Sequence, residues 1–265
     1  MKKTACILLA TFIAGSCIFA ETATEIIAKS VSLDVPDFSE TDMNLELFDK
    51  NGKLTESRNL KQYGKYTDEL VSTVFNFLSP STIKGTRFLQ AEKKDKTDDK
   101  WIYLPSLRTV RRIAPAERQK SFVGLDFSYD DMTLRKVESD THEMINENVT
   151  KKAGDTTYNC WQIKSTPVKK NDGGYSYRMQ YIDKNTYLPV FTEYYDKEGK
   201  HLKDYTVRKI QIVTGASGKK YYIRWINHMV NVQTGHSSIC TLLKQTLDEP
   251  IADKYFTQNW LYTGK

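Results

Sequence analysis

The residues best equipped for chemistry lie between Trp101 and Asp131. Arg108, Arg111, Arg112 and Arg118 come first, with Lys120 close behind, and Asp126, Asp130 and Asp131 follow around Phe127 and Tyr129. A guanidinium is a planar fork that grips phosphate or carboxylate through two parallel hydrogen bonds. The cationic half therefore suits lipid head groups or an acidic partner surface. The same stretch supplies its own anions, so the competing expectation is that Asp126, Asp130 and Asp131 satisfy these arginines internally. Pro105 and Pro115 break the stretch, which is too interrupted to be one strand or one helix. It reads as a long charged segment laid over the mouth of a sheet.

Catalysis finds little to work with. His142, His201, His228 and His236 are scattered, and the chain has no H-E-x-x-H, C-x-x-C or G-x-S-x-G motif. Ser121, Ser128, Asp126 and His236 have none of the spacing of a nucleophilic triad. The expectation is a non-enzyme, with no catalytic residue, no metal ligand and no cofactor. The formal charge of +6 falls to +4 without Lys2 and Lys3. That balance does not argue for nucleic acid and is compatible with work near anionic lipid.

The elements that position the charged segment read as strands. Aromatic residues make up 12% of the chain, led by 16 tyrosines, which favours pleated, half-wet surfaces. Alternation of apolar and polar residues predicts strands over 41–49, 54–63, 69–78, 84–92 and 101–104. A second set follows over 142–153, 157–166, 175–183, 187–196, 203–213, 219–232 and 237–247. Turn chemistry separates them, and 48–53 and 195–200 share one solution, Asp-Lys-x-Gly-Lys after an aromatic residue. A short helix is expected over 24–30, one helical turn over 126–133, and a docked tail over 251–261 anchored by Phe256, Trp260 and Leu261. No helix long enough for parallel crossovers separates the strands, so the sheet is antiparallel. About eleven strands in one twisted sheet will curl.

A curled sheet has an inner face. The residues assigned to it are Leu45, Leu47, Phe75, Phe77, Phe88, Trp161, Ile163, Met179, Tyr181, Val190, Ile210, Ile212, Ile223 and Trp225, none of them charged. Either these close an ordinary core, or they line a greasy pocket under the charged segment. An acyl chain of roughly sixteen carbons would gain about 10 kcal/mol in such a pocket, at ~0.8 kcal/mol per methylene.

The first twenty residues form a targeting segment: a basic start at Lys2 and Lys3, then an apolar run too short to span a bilayer comfortably. Cleavage after Ala20 leaves an exported domain over 21–265. Cleavage before Cys17 instead leaves a cysteine for lipid anchoring. Cys160 and Cys240 remain, and an exported chain permits either a bridge between them or two buried thiols.

The run Tyr103-Leu104-Pro105-Ser106-Leu107-Arg108-Thr109-Val110-Arg111-Arg112-Ile113, followed by Ser121-Phe122-Val123-Gly124-Leu125-Asp126-Phe127-Ser128-Tyr129-Asp130-Asp131, resembles the signature of the outer-membrane lipoprotein-sorting protein family. Leu78-Ser79-Pro80, Tyr194-Tyr195-Asp196-Lys197-Glu198-Gly199-Lys200 and Gln233-Thr234-Gly235-His236 extend the resemblance. These proteins group with the LolA-like and LolB-like periplasmic lipoprotein carriers. The resemblance implies a half-open antiparallel β-barrel with a short helical lid over an apolar cavity. It also implies a monomer in the periplasm whose partners are acyl chains of lipoproteins or lipids, an inner-membrane transporter as donor and an outer-membrane acceptor. The alternative drawn from the residues alone is an adhesin-like envelope or surface interaction domain with a filled core.

Overall fold

The computed structural model describes residues 21–265 except 34, 69, 95, 96, 170 and 171; the targeting segment 1–20, with Cys17, lies outside the described residues. Helix α1 (Ala23–Val31) comes first. The strands β1 (Phe38–Phe48), β2 (Leu54–Thr67), β3 (Leu70–Ser79), β4 (Arg87–Ala91), β5 (Asp99–Leu104) and β6 (Thr109–Arg112) follow as one meander. After a long connection come β7 (Asp140–Ala153), β8 (Thr156–Pro167), β9 (Tyr177–Asp183), β10 (Pro189–Tyr195), β11 (His201–Thr214), β12 (Lys220–Asn231) and β13 (Ser237–Leu247), and then the short helix α2 (Gln258–Thr263). The structure has thirteen strands where the sequence pattern suggested about eleven. The extra one beyond the twelve ranges read above is β6, a four-residue strand too short to show a period.

All thirteen strands form one open antiparallel sheet in the order β6-β5-β4-β3-β2-β1-β13-β12-β11-β10-β9-β8-β7. The first and last strands meet in the middle, with Leu45 opposite Cys240 and Leu47 opposite Ser238. Strands β6 and β7 are consecutive in the chain yet occupy opposite edges. The connection 113–139 must therefore cross the sheet from edge to edge.

The two similar turns are built alike. Asp49 Oδ1 accepts from the Asn51 and Lys53 amides at 2.9 and 3.0 Å; Asp196 Oδ1 accepts from Glu198 and Lys200 at 3.1 and 2.8 Å. Gly52 and Gly199 close them at φ +74° and +78°, with open space where a side chain would sit. Glycine is needed here for its backbone freedom, not for room.

Apolar packing divides into separate clusters. Helix α1, started by a Thr22/Glu25 capping box, lays Ala23, Ile26 and Ile27 against Ile163, Ile182 and Trp161. Helix α2 and the segment before it pack Tyr255, Trp260 and Leu261 on Tyr63, Val74 and Leu89. The end of the β7–β8 hairpin folds onto Tyr181 and Phe191, with the Lys151 ammonium 3.5 Å from the Phe191 ring centroid. Cys160 belongs to that hairpin cluster and Cys240 to the large one described below; both are free thiols, each pushed up to about 12 by burial.

Gly199→Ala should lower stability by about 1–2 kcal/mol, the strain of a left-handed alanine. Urea unfolding checks this. An unchanged midpoint would mean that the turn does not hold a positive φ in solution.

Candidate functional site

The connection 113–139, here called the strap, does not lie over the mouth of the sheet but inserts into its concave face. Pro115–Glu117 forms a single 3-10 turn. A tight hairpin follows, in which the Phe122 amide donates to the Phe127 carbonyl at 2.7 Å and Ser121 bridges Ser128. Val123 and Gly124 turn it at φ +52° and +85°. A positive φ at a β-branched residue is an outlier that persists only when its surroundings hold it. Here the Arg58 guanidinium donates to the Val123 carbonyl at 2.5 Å. The helical turn expected over 126–133 is instead a run of bends and turns closed by side-chain hydrogen bonds.

The hairpin buries Phe122, Leu125, Phe127 and Tyr129 in the largest cluster of the molecule. Phe122 is 1% exposed. Its ring lies 5.0 Å from Phe88, 5.4 Å from Tyr129, 5.7 Å from Phe75 and 6.3 Å from Phe77, centroid to centroid. Edge-on and tilted ring pairs of this kind add about 0.5–1.5 kcal/mol each beyond the area they bury.

Polar contacts fix the strap to both halves of the sheet. On β5, the Lys100 ammonium is fully buried and donates to the Tyr129 carbonyl at 2.5 Å, Thr133 Oγ1 at 2.7 Å and Asp130 at 3.3 Å. Burial holds its pKa below the ordinary lysine value, with Asp130 pulling the other way. On β13, Ser238 Oγ donates to Asp126 at 2.6 Å and receives the Asp126 amide at 3.0 Å, while His236 Nδ1 lies 2.8 Å from the same carboxylate. Asp131 accepts from the Tyr175 hydroxyl at 2.9 Å and lies 3.4 Å from the Lys203 ammonium of β11. Burial, and then the Asp131 charge, drive the Tyr175 hydroxyl well above its usual value.

The three acids therefore pair with Lys100, Lys203, Tyr175, His236 and Ser238, and with none of the four arginines. Arg111 pairs with Glu117 at 2.9 Å, and Arg112 with Asp99 on the neighbouring strand. Arg118 is buried and donates to the Asp98 carbonyl. Arg108 is exposed in the β5–β6 turn at φ +49°. Among the described residues no group of three or more His, Cys, Asp or Glu is placed to hold a metal ion.

The fourteen apolar residues read from strand alternation do not share one lining. Leu45, Leu47, Phe77 and Phe88 are buried in the strap's cluster, and Phe75, Ile223 and Trp225 pack against it. Trp161 and Ile163 lie under α1, whereas Met179, Tyr181, Val190 and Ile210 belong to the hairpin cluster. Ile212 is 59% exposed. Bulges between Val207 and Ile210 in the β11–β12 ladder, and at Val190 between β9 and β10, break the alternation on which that assignment relied. Two recesses flank the strap. One of about 1000 Å³ lies at the hairpin tip, lined by Val123, Arg58, Ile83, Leu104 and Pro105. One of about 450 Å³ lies around Asp126, Tyr175, Lys203 and His236.

Comparison with known proteins follows the fold. A family model described as an uncharacterized-protein-like family matches residues 69–263. A DUF1329 family protein from Desulfovibrio piger superposes with TM-score 0.80 at 21% identity, over 90% of this chain and 97% of its own. A putative outer membrane lipoprotein-sorting protein domain from Vibrio parahaemolyticus gives 0.79 at 24%, over 91% and 98%. A LolA superfamily protein from Nitrosomonas europaea gives 0.65 at 15%, over 91% and 100%. At these identities the shared property is the fold. No curated protein matches.

Lys100 makes a testable prediction about pH. Its depressed pKa means that the unfolded chain binds the extra proton between the folded and the ordinary lysine values, so this group makes stability rise with pH through that alkaline window. Lys100→Met should flatten the rise relative to wild type in urea unfolding across alkaline pH. Parallel curves would show that the ammonium is not buried as described.

Proposed function

The chain belongs to the uncharacterized-protein-like family whose model spans 69–263, and from that premise we propose that it is a carrier of acyl chains, of lipoproteins or lipids, in the cell envelope. The observation that carries the reading is the way the concave face is covered. Phe75, Phe77, Phe88 and Leu60 are shielded by one irregular strap, not by a second sheet interlocked with the first. In this reading the strap hairpin is a stand-in for cargo. The targeting segment sends the domain 21–265 to the periplasm, an inner-membrane donor loads it, an outer-membrane acceptor unloads it, and it works as a monomer. The sorting-protein and LolA superfamily neighbours supply the analogy through fold.

Magnitudes allow the carrier itself to bind passively, with the membrane donor supplying the energy. Four buried side chains, Phe122, Leu125, Phe127 and Tyr129, contribute about 6–12 kcal/mol at ~1.5–3 each. An acyl chain of roughly sixteen carbons gains about 10 kcal/mol. The two occupants are matched, so either can replace the other when a membrane protein tips the balance. No step requires bond chemistry, which fits a non-enzymatic carrier.

Purified protein stripped of lipid should take up a fluorescent fatty acid. Phe77→Asp, which puts a charge on the trough floor, should abolish uptake. Phe122→Ala, which weakens the competing occupant, should tighten it by about tenfold, the equivalent of 1.4 kcal/mol. Uptake lost equally in both variants, or absent from wild type, would instead favour an envelope interaction domain in which Phe122 is a permanent part of a filled core.

A further inference from the structure

The sheet wall parts between β12 and β13. Strand β12 pairs with β11 along its whole length, down to Lys220 opposite Thr214. Strand β13 pairs with β1 out to Leu247 opposite Ser39. Yet the ladder between β12 and β13 runs only from Val230–Ser237 to Ile226–Thr241. Beyond it, residues 220–225 and 242–247 form two lips with no ladder between them. Bulges bend the strands on both sides, at Leu243 in β13 and at Trp225 in β12. The far end of the opening is clasped again, by the Ala216 amide donating to the Leu247 carbonyl at 3.0 Å and the Tyr221 hydroxyl donating to Asp248 at 2.9 Å.

The opening has an inside and an outside of different character. Inward, Ile223 and Trp225 of one lip and Leu242 of the other pack against the cluster that the strap fills. Outward, Tyr222 and Leu243 are 50% and 57% exposed, and Ile212, opposite Tyr222 in the ladder, is 59% exposed. Lys209, Lys219, Lys220 and Lys244 surround them, all exposed, and none forms an ion pair with a described carboxylate. Exposed apolar side chains ringed by unpaired cations complement an anionic lipid surface, where the apolar groups enter the headgroup boundary and the cations meet phosphates.

We propose that the parting of β12 and β13 is the door through which an acyl chain passes from an anionic bilayer to the strap's trough, with Ile212, Tyr222, Leu243 and the surrounding lysines resting on the membrane. The proposal rests on the carrier reading and adds where and from what surface loading occurs.

The test uses phosphatidylcholine vesicles, with or without phosphatidylglycerol, carrying a phospholipid with a fluorescent acyl chain. Wild-type protein should acquire the probe faster from the anionic vesicles. Ile212→Glu/Tyr222→Glu/Leu243→Glu should slow transfer about tenfold while leaving equilibrium binding of a dissolved fluorescent fatty acid unchanged, because the lips are not the destination. Lys220→Glu/Lys244→Glu should remove the acceleration by phosphatidylglycerol and leave transfer from neutral vesicles intact. All substituted positions are exposed, and matching melting curves verify folding. Transfer at the wild-type rate in the triple variant, or no effect of anionic lipid on wild type, overturns the door and leaves the carrier reading standing. Failure of wild type to bind the dissolved fatty acid removes the carrier reading and the door with it.

Discussion

Everything in this molecule follows from the edge-to-edge crossing of the strap. Two meanders, β1–β6 and β7–β13, join at the middle of one sheet through β1 and β13. Their connection leaves from one outer edge and must arrive at the other. A backbone that crosses the concave face of a curled sheet is buried, and a buried backbone must find partners for its polar groups. The strap solves this locally with the Phe122–Phe127 hairpin, then with side chains sent from the sheet to its backbone, Arg58, Lys100 and Ser238, while Lys203 pairs with the Asp131 carboxylate. Its aromatic side chains are then free to fill the trough.

The balance between apolar filling and polar anchoring distinguishes the strap from an ordinary core element. Interlocked strands would bury their apolar rows cooperatively and permanently. The strap instead combines a left-handed valine and two nearly buried carboxylates with its four ring and leucine contacts, and it receives the fully buried Lys100 ammonium from β5. Buried charges contribute little net stability, because desolvation offsets much of the attraction, but they specify one arrangement when every partner is present. The result is a segment held in a single register yet not heavily favoured over an oily replacement. The weak point between β12 and β13 lies in the wall of the same trough, where Trp225, Ile223 and Leu242 back onto the strap's cluster.

Much of the fold was legible because strands of this kind announce themselves. The alternation through Met43, Leu45 and Leu47, and the Asp-x-x-Gly turns at 49–52 and 196–199, read directly into β1 and into two hairpins of identical hydrogen bonding. The trough floor was legible where a strand stays regular, as at Phe75 and Phe77. It was misplaced where bulges shift the alternation, so Ile212 lies in solvent and Ile210 packs with the hairpin cluster. The charged stretch was visible as the centre of the chain, but a period-based reading could not say that Phe122, Leu125, Phe127 and Tyr129 enter the sheet, since a tight hairpin has no period. Nor could it find Lys100, which looks like the end of a charged turn and owes its role entirely to tertiary burial.

The central claim is that the strap and an acyl chain compete for one trough. Hydrogen exchange along the chain, followed by mass spectrometry with and without a bound fatty acid, tests it most directly. Loading should strip protection from the strap, above all around Phe122 and Asp126, while the paired β1 and β13 amides keep theirs. A strap that stays equally protected with fatty acid bound would contradict the account, because the cargo would then lie elsewhere.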